Sequence, residues 1–296
     1  MALENLDHIS QSRRHLATLD DNSRFQVILK DCWVNHSEVN SVRSVIRAVY
    51  EMPPTTQAQC VVVSGVSGMG KTSLFNKVAS DFDLLRKRHH DPRSYISFTL
   101  APDPSLKGFE ESMGAALGVP FGSIRNGLIP KPFVRMARLR SIKAVMIDEI
   151  HDLLNANKVE QRKVLTFFRS MTGPPLSLSL IAFGTQDAKF ALASDDQLDR
   201  RFEKYELNRW KEDEAFRSFL AAYESLLPLK KPSELWRQEK VRYLLNATLG
   251  ITDGIVKRIK RGAIWAIMDQ KEQIDMECLA KAAFIPPYVD YKKYEK

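Results

Sequence analysis

Cysteine is scarce in this chain of 296 residues, and long apolar runs are missing. The three cysteines, Cys32, Cys60 and Cys278, lie far apart and form no C-x-x-C pair, so neither a zinc site nor a disulfide framework is predicted. No apolar segment approaches the roughly 18 residues that a membrane span needs, and the N-terminus is polar from its start. We therefore expect a cytoplasmic chain that has no membrane partner.

The sequence also lacks internal repeats and low-complexity tracts. Hydrophobic residues make up 44% and charged residues 27%, which is the balance of an ordinary globular protein. The formal net charge of +8 favours a polyanionic partner, because Lys and Arg displace counterions from phosphates. Charge alone does not separate DNA from RNA or from an acidic protein surface.

Residues 1–35 mix polar and apolar positions without a sustained period, and we expect an N-terminal arm that orders only on binding a partner. From residue 36 apolar residues recur at helical spacing until Pro53 and Pro54 end the predicted helix. The residues that set this spacing are Val39, Val42, Ile46 and Val49. The folded core is therefore predicted to begin at residue 36.

Short apolar runs rich in β-branched residues then alternate with helical patterns; they are residues 60–64, 95–100, 144–147 and 178–183. This alternation predicts an α/β fold, a parallel sheet with helices on both faces, over residues 36–209. Helical patterns alone follow and predict a small all-helical lid over 210–285. The aromatic and basic tail, 286–296, is either a docking segment or a frayed end. Parallel sheets bind ligands at the carboxyl ends of their strands, so functional residues are expected directly after each run.

The first apolar run leads into a glycine-rich loop that opens a helix, in the pattern G-x-x-x-x-G-K-[ST]. Its backbone N–H groups are expected to hold the phosphates of ATP, Lys71 to reach the β- and γ-phosphates, and the Thr72 hydroxyl to ligate Mg²⁺. A chance glycine-rich turn is the alternative, which the strand-loop-helix context disfavours. The predicted ATP-binding residues are Gly65, Val66, Ser67, Gly68, Met69, Gly70, Lys71, Thr72 and Ser73.

The third apolar run ends in two carboxylates, Asp148 and Glu149. This pattern predicts that Asp148 holds Mg²⁺ through its water shell and that Glu149 orients and deprotonates the attacking water. Alternatively, the two carboxylates cap the next helix. The phosphate loop upstream disfavours this alternative. The spelling DEIH also matches the DExH box of helicases, but those enzymes need two tandem nucleotide-binding cores and this chain has room for one.

Several further segments together resemble the TniB/TnsC family of transposition ATPases, in the initiator-like branch of AAA+ proteins. The resemblance covers residues 39–283, and the last block is its most specific part, because its order of residues has no catalytic reason to recur in unrelated ATPases. The segments are GMGKT, IDEIHDLL, QRKVLTFFRS, IAFGTQDAKFAL and DDQLDRRFEKYELNRWKEDEAFRSFLAAYESLLPLKKPSEL.

The resemblance implies a slow, partner-stimulated ATPase that assembles with ATP into rings or helical filaments on double-stranded DNA, without strong sequence preference, and disassembles on hydrolysis. It further implies contact with a TniQ-type target selector, alone or in an RNA-guided complex, and with a DDE transposase of the TniA/TnsB type. Two other functions stay open: a DNA-remodelling motor or helicase loader, and a nucleotide-gated signalling scaffold that ignores DNA.

The family also implies roles for residues outside the two main motifs. Thr185, after a fourth apolar run, corresponds to a sensor of the γ-phosphate, although it is also a residue that can begin a turn. Arg201, preferred over Arg200, corresponds to an arginine that reaches a neighbouring subunit's nucleotide. A surface ion pair is the alternative for this arginine, with one of the nearby carboxylates, Asp195, Asp196 and Asp199.

Two assignments are less specific. Lys257 stands where many AAA+ proteins have the arginine of a Gly-x-x-Arg second sensor. As a point charge it cannot bind two oxygens at once as arginine does, and a solvated helix face is the alternative.

In initiator-like proteins the stretch after the second strand, here residues 102–132, faces DNA. Lys107, Arg125 and Lys131 are its predicted phosphate contacts, with ordinary solvated charge as the alternative, and no base-reading helix is evident there.

Overall fold

The computed structural model describes residues 6–53, 55–89, 93–100, 105–119, 122, 124–125 and 128–287. These residues divide into two units, which we call the α/β unit (Glu38–Asn208) and the helical unit (the segments up to Ser37 and from Arg209). The C-terminal tail expected at 286–296 lies outside the described residues from position 288 onwards.

Helices are numbered in chain order, and 3₁₀ segments also occur at Gln11–Thr18 and Ile150–Asn155. In the first half of the chain the helices are α1 (Asp21–Leu29), α2 (Ser37–Glu51), α3 (Lys71–His89), α4 (Leu106–Leu117), α5 (Lys131–Leu139) and α6 (Lys158–Met171). In the second half they are α7 (Ala188–Ala193), α8 (Asp196–Asp199), α9 (Glu214–Glu224), α10 (Gln238–Thr248), α11 (Thr252–Met268) and α12 (Met276–Lys281).

The centre of the α/β unit is a parallel sheet, which has five strands among the described residues. The strands are β1 (Cys60–Gly65), β2 (Ser94–Thr99), β3 (Ile142–Asp148), β4 (Ser179–Gly184) and β5 (Phe202–Leu207), in the spatial order β2-β3-β4-β1-β5. Every residue of β1, β3 and β4 is buried, as expected for central strands covered on both faces. The predicted parallel sheet is confirmed.

The helical unit is built around a separate apolar core, to which α1, α9, α10, α11 and α12 contribute. The expectation of an N-terminal arm differs from the structure at this point. Phe25 and Ile28 of α1 are buried in this core, and Asp20 caps the helix by accepting a hydrogen bond from the Ser23 amide. The segment escaped sequence reasoning because nine residues are too few to show a sustained helical period.

Two buried charges in the helical unit are fully engaged. Arg24, 1% exposed, donates from Nε and Nη2 to the Pro228 carbonyl at 3.0 and 2.8 Å, and it forms a two-pronged pair with Glu272. The Glu224 carboxylate accepts from the backbone amides of residues 233, 234 and 235. Both charges therefore tie distant segments of this unit together.

Candidate functional site

The ends of three adjacent strands bring the predicted phosphate site together. Strand β4 lies between β1 and β3, with Ser64 beside Gly184 and Ile147 beside Ala182. Because the strands are parallel, the phosphate loop after β1, Thr185 after β4 and Asp148 at the end of β3 meet at one edge of the sheet.

The phosphate loop turns through two glycines in the left-handed region, Gly68 at φ +80° and Gly70 at φ +88°. Side chains other than glycine rarely adopt these angles, so the loop's path depends on both residues. Helix α3 begins directly after them, at Lys71. Thr72 and Ser73 are exposed in its first turn, where their hydroxyls are accessible to a ligand.

Lys71 is held over the loop. Its ammonium donates to the carbonyls of Gly65 at 3.0 Å and Val66 at 3.1 Å, and only 7% of the residue is exposed. Burial lowers the pKa of Lys71, and the negative charges of Glu149 and Asp148 partly oppose this effect. The phosphate loop thus carries a buried cation close to two carboxylates.

The two carboxylates have different environments. Asp148 is 1% exposed, and its Oδ1 accepts from the Glu149 amide at 3.0 Å. Glu149 has φ +56°, an uncommon conformation for this residue type that turns the chain sharply after β3. Its Oε2 is buried without a hydrogen bond from any described residue, which is the state expected of a base awaiting a substrate proton.

His151 links Glu149 to Thr185. Its Nδ1 lies 3.2 Å from Glu149 Oε2, without the geometry of a hydrogen bond, and accepts from the Thr185 amide at 3.4 Å. The Thr185 hydroxyl is itself buried without a partner among the described residues. One ring nitrogen cannot accept from Thr185 and donate to Glu149 at the same time, so these two contacts exclude each other.

His151 was not predicted as a functional residue. His151 is the histidine of the DEIH motif, which the sequence analysis relates only to the DExH box of helicases. Its position two residues after the catalytic carboxylate candidate could have been taken as a sign of contact with that carboxylate.

The residues present fit ATP and Mg²⁺. Buried polar atoms without partners, a glycine-turned loop and a buried lysine converge where phosphates would lie. Thr72 and Asp148 supply the oxygens that Mg²⁺ prefers, and that ion takes its remaining ligands from phosphates and water. The described residues include no cluster of three or more His, Cys, Asp or Glu side chains that could hold a metal by themselves.

Arg200 and Arg201 lie at the opposite edge of the sheet, because Arg201 directly precedes β5, whose first residue pairs with the first residue of β1. The Arg201 Nη1 donates to Arg169 O at 3.0 Å and to Thr172 Oγ1 at 2.6 Å, at the end of α6. Its Nε is buried and has no partner in the part of the chain that the structure describes. Arg200 is exposed, and its side chain forms no hydrogen bond or ion pair with the described residues. The strands separate both arginines from their own chain's phosphate loop by about 16 Å.

The other predicted residues are exposed. Lys257, on α11, pairs with Asp253 at 2.7 Å within the helical unit. Lys107 lies 3.7 Å from Glu111, and Arg125 and Lys131 are exposed before and at the start of α5. Parts of the predicted DNA-facing stretch, residues 102–104, 120–121, 123 and 126–127, lie outside the described residues.

Within the ranges that the structure covers, no helix is long and apolar enough to cross a membrane.

The strand order, the phosphate loop and the acidic pair define the AAA+ class of P-loop NTPase folds. Solved structures agree: Aeropyrum pernix ORC1 in complex with DNA has a TM-score of 0.61 at 15% identity, covering 88% of this chain and 68% of that chain. A. pernix ORC2 with ADPNP and ADP has a TM-score of 0.62 at 13% identity, covering 87% of this chain and 70% of that chain. Pyrobaculum aerophilum Cdc6p has a TM-score of 0.61 at 14% identity, covering 93% of this chain and 74% of that chain.

The chain matches the family described as bacterial TniB protein over residues 24–212. It therefore belongs to the TniB family, and the family predicted from the sequence is confirmed. A search of curated proteins finds no match.

Proposed function

We propose that this protein is an ATP-dependent switch of DNA transposition that assembles on duplex DNA with ATP and disassembles when ATP is hydrolysed. One observation carries the proposal: a TniB-family chain brings Lys71, Asp148, Glu149 and Thr185 to one edge of its sheet, with buried polar atoms that lack partners. Two of its structural neighbours support it, since one was solved with DNA and another with ADPNP and ADP.

Hydrolysis is assigned to the residues of this edge. Thr72 and Asp148 would hold Mg²⁺, which supplies positive charge to the phosphate oxygens. Lys71 exchanges its two loop carbonyls for phosphate oxygens, and Glu149 takes the proton of the attacking water through its buried, unpartnered Oε2. The Thr185 hydroxyl donates to the γ-phosphate position, which satisfies an otherwise unpartnered group.

His151 is assigned a positioning role. While Nδ1 accepts from the Thr185 amide, it carries no proton and leaves Glu149 free to act as a base. A hydrogen bond from Nδ1 to Glu149, whose Oε2 lies 3.2 Å away, would require the ring to give up the Thr185 amide. Thr185 and Glu149 thereby compete for one ring nitrogen.

The arginine pair before β5 is assigned to the neighbouring subunit's nucleotide, because its own phosphate loop lies at the far edge of the sheet. Arg201 remains the proposed residue, and to reach a neighbour it must release Arg169 O and Thr172 Oγ1. Lys257 is proposed as a second sensor that gives up its pairing with Asp253 to touch phosphate.

The partners of the switch follow from family membership. The proposed partners are a TniQ-type target selector and a DDE transposase. Duplex DNA is held through its phosphates, with Lys107, Arg125 and Lys131 as contacts, and little sequence preference is expected because phosphates are the same at every base.

Electron microscopy of the full chain with duplex DNA and a non-hydrolysable ATP analogue tests this function. We expect rings or filaments on DNA with the analogue, none without it, and none with Lys71→Ala, which removes the phosphate-binding ammonium. Assemblies that ignore DNA would favour a nucleotide-gated scaffold. Particles that stay single with nucleotide and DNA would contradict the proposal.

A further inference from the structure

A long segment of the α/β unit carries positive charge only. From residue 112 to residue 147 the sequence has no Asp or Glu. The same 36 positions hold six basic residues, which are Arg125, Lys131, Arg135, Arg138, Arg140 and Lys143. The whole chain has a formal net charge of +8, so this one segment concentrates positive charge far beyond the average.

Helix α5 arranges three of these residues in a line. Lys131, Arg135 and Arg138 follow the spacing i, i+4, i+7, which places them on one exposed face, while Phe133 and Ala137 are buried on the opposite face. At a rise of about 1.5 Å per residue the line is about 10 Å long. We call these three residues the α5 basic face.

Among the described residues, no carboxylate pairs with this face. None of the side chains of Arg125, Lys131, Arg135, Arg138 and Arg140 forms a hydrogen bond or ion pair with a described residue. Several cations elsewhere in the same unit are paired, for example Arg43 with Asp81 at 2.6 Å and Lys204 with Asp199 at 2.8 Å. Clustered like charges without partners repel one another, so binding of an anion stabilises them.

The α5 basic face adjoins a cavity of about 270 Å³ at the start of β3. Arg138, Arg93 and Lys143 line this cavity, and no acidic residue does. Lys143 is only 9% exposed, and its pKa is lowered by burial and then by the charge of Arg93. A phosphate oxygen at the cavity would offset both effects.

We propose that the α5 basic face and this cavity form a track for the phosphate backbone of duplex DNA, with Arg135 and Arg138 as its principal contacts. The proposal rests on the proposed function, which supplies DNA as the polyanion. Evenly spaced cations match the evenly spaced charges of a nucleic acid strand, and about 10 Å corresponds to about three phosphates along the duplex axis. The guanidinium groups can each fork onto two phosphate oxygens.

Two features separate this surface from a protein interface and from base readout. The face lacks the aromatic residues that anchor protein interfaces, and its one large exposed apolar neighbour on α5 is Leu139, which is 70% exposed. It also lacks Asn and Gln, which read adenine. Contacts to phosphate alone are therefore expected, without sequence preference.

The test is duplex binding by the full chain, with a non-hydrolysable ATP analogue, over a series of salt concentrations. For Arg135→Gln/Arg138→Gln we expect at least a tenfold loss of affinity at low salt. The slope of log affinity against log salt should fall by about two, since each lost phosphate contact removes about 0.9. Lys143→Met should lower the slope by about one.

The control is Arg237→Gln/Arg242→Gln, which removes the same charge from exposed, ion-paired arginines of the helical unit. For this control, the slope of log affinity against log salt should equal that of the wild type. Unchanged nucleotide affinity in all variants would show that the α/β unit is folded.

Three outcomes overturn the proposal. If the wild type binds duplex DNA and the Arg135/Arg138 variant keeps its affinity and slope, the track is wrong and the proposed function stands. If that variant loses nucleotide-driven self-association without DNA, the face is a subunit contact instead. If the wild type itself binds no duplex with nucleotide, the proposed function fails, and the track fails with it.

Discussion

Two buried charges of the helical unit and two strand-end groups of the α/β unit differ in how their polar atoms are satisfied. In the helical unit, Arg24 and Glu224 are buried with every major hydrogen bond satisfied. In the α/β unit, Glu149 Oε2 and Thr185 Oγ1 are buried without partners among the described residues. An unsatisfied buried polar group costs about 1–3 kcal/mol, so the α/β unit gives up stability at the edge of the sheet where we place its chemistry.

Function is therefore expected where buried polar groups at strand ends are left unsatisfied. Satisfied buried charges hold segments together, and their loss should unfold the unit that contains them. Unsatisfied groups at strand ends contribute little to folding, and their loss should change turnover instead.

Arg201 combines both kinds of group, with a satisfied Nη1 and an unpartnered Nε. We expect Arg201→Ala to lower turnover about 100-fold or more, because an arginine supplied in trans stabilises transition-state charge. It should also lower the free energy of unfolding by about 1–3 kcal/mol, because Thr172 Oγ1 and Arg169 O lose a donor. Turnover and thermal unfolding measure the two effects.

Arg200→Ala is the control at the neighbouring residue, and it should change neither the turnover nor the free energy of unfolding. Mixing Arg201→Ala with Glu149→Gln, which keeps its phosphate loop, should restore part of the turnover, because each chain supplies what the other lacks at a shared site. No recovery on mixing would argue against a trans role, and a loss confined to Arg200→Ala would move the role to that residue.

Arg24→Met tests a buried charge whose hydrogen bonds are satisfied. It leaves the Pro228 carbonyl without its donor and Glu272 without its cation, so we expect the helical unit to lose about 3–5 kcal/mol of stability. Hydrogen exchange of amides in α1 and α11 would measure this loss. Arg237→Met, which breaks an exposed pair with Glu234, should cost under about 1 kcal/mol. Equal losses in the two variants would show that burial of the Arg24 pair is unimportant.

Thr185→Val tests an unsatisfied hydroxyl. We expect turnover to fall about 10- to 100-fold, with no loss of stability, because the hydroxyl has no partner among the described residues. Ser233→Ala should lower stability and leave turnover unchanged, because the Ser233 hydroxyl is buried and accepts from the Ile274 amide at 2.9 Å. Steady-state ATPase rates and thermal unfolding of both variants give the contrast. A stability loss in Thr185→Val without a rate change would remove it from the site.

His151 should have the smallest effect, because it acts through Glu149. We expect His151→Leu to lower kcat about tenfold and to leave nucleotide affinity unchanged. His151→Asn should recover part of the rate, since its amide offers a donor and an acceptor near the position of Nδ1. A change in nucleotide affinity, or equal rates for the Leu and Asn variants, would show that the ring has only a structural role.

Much of the α/β unit could be predicted from the sequence, because central parallel strands appear as continuous apolar runs and the phosphate loop has a fixed spacing. The positions of Lys71 and Asp148 follow directly from these two patterns. The bonds of Arg201 could not be predicted, since its partners lie about thirty residues away and meet it only in the folded chain. Helix α1 was missed for a related reason: only packing within the helical unit shows that its Phe25 and Ile28 are buried.

In the proposed function, ATP binding builds the DNA assembly and hydrolysis removes it. Its most direct test is the lifetime of the assembly on duplex DNA after a limited amount of ATP, compared between wild type and Glu149→Gln. Loss of the general base should slow hydrolysis about 100-fold or more, so the Glu149→Gln assembly should persist long after the wild-type assembly has dispersed. Equal lifetimes, or a Glu149→Gln protein that binds ATP without assembling, would contradict the account.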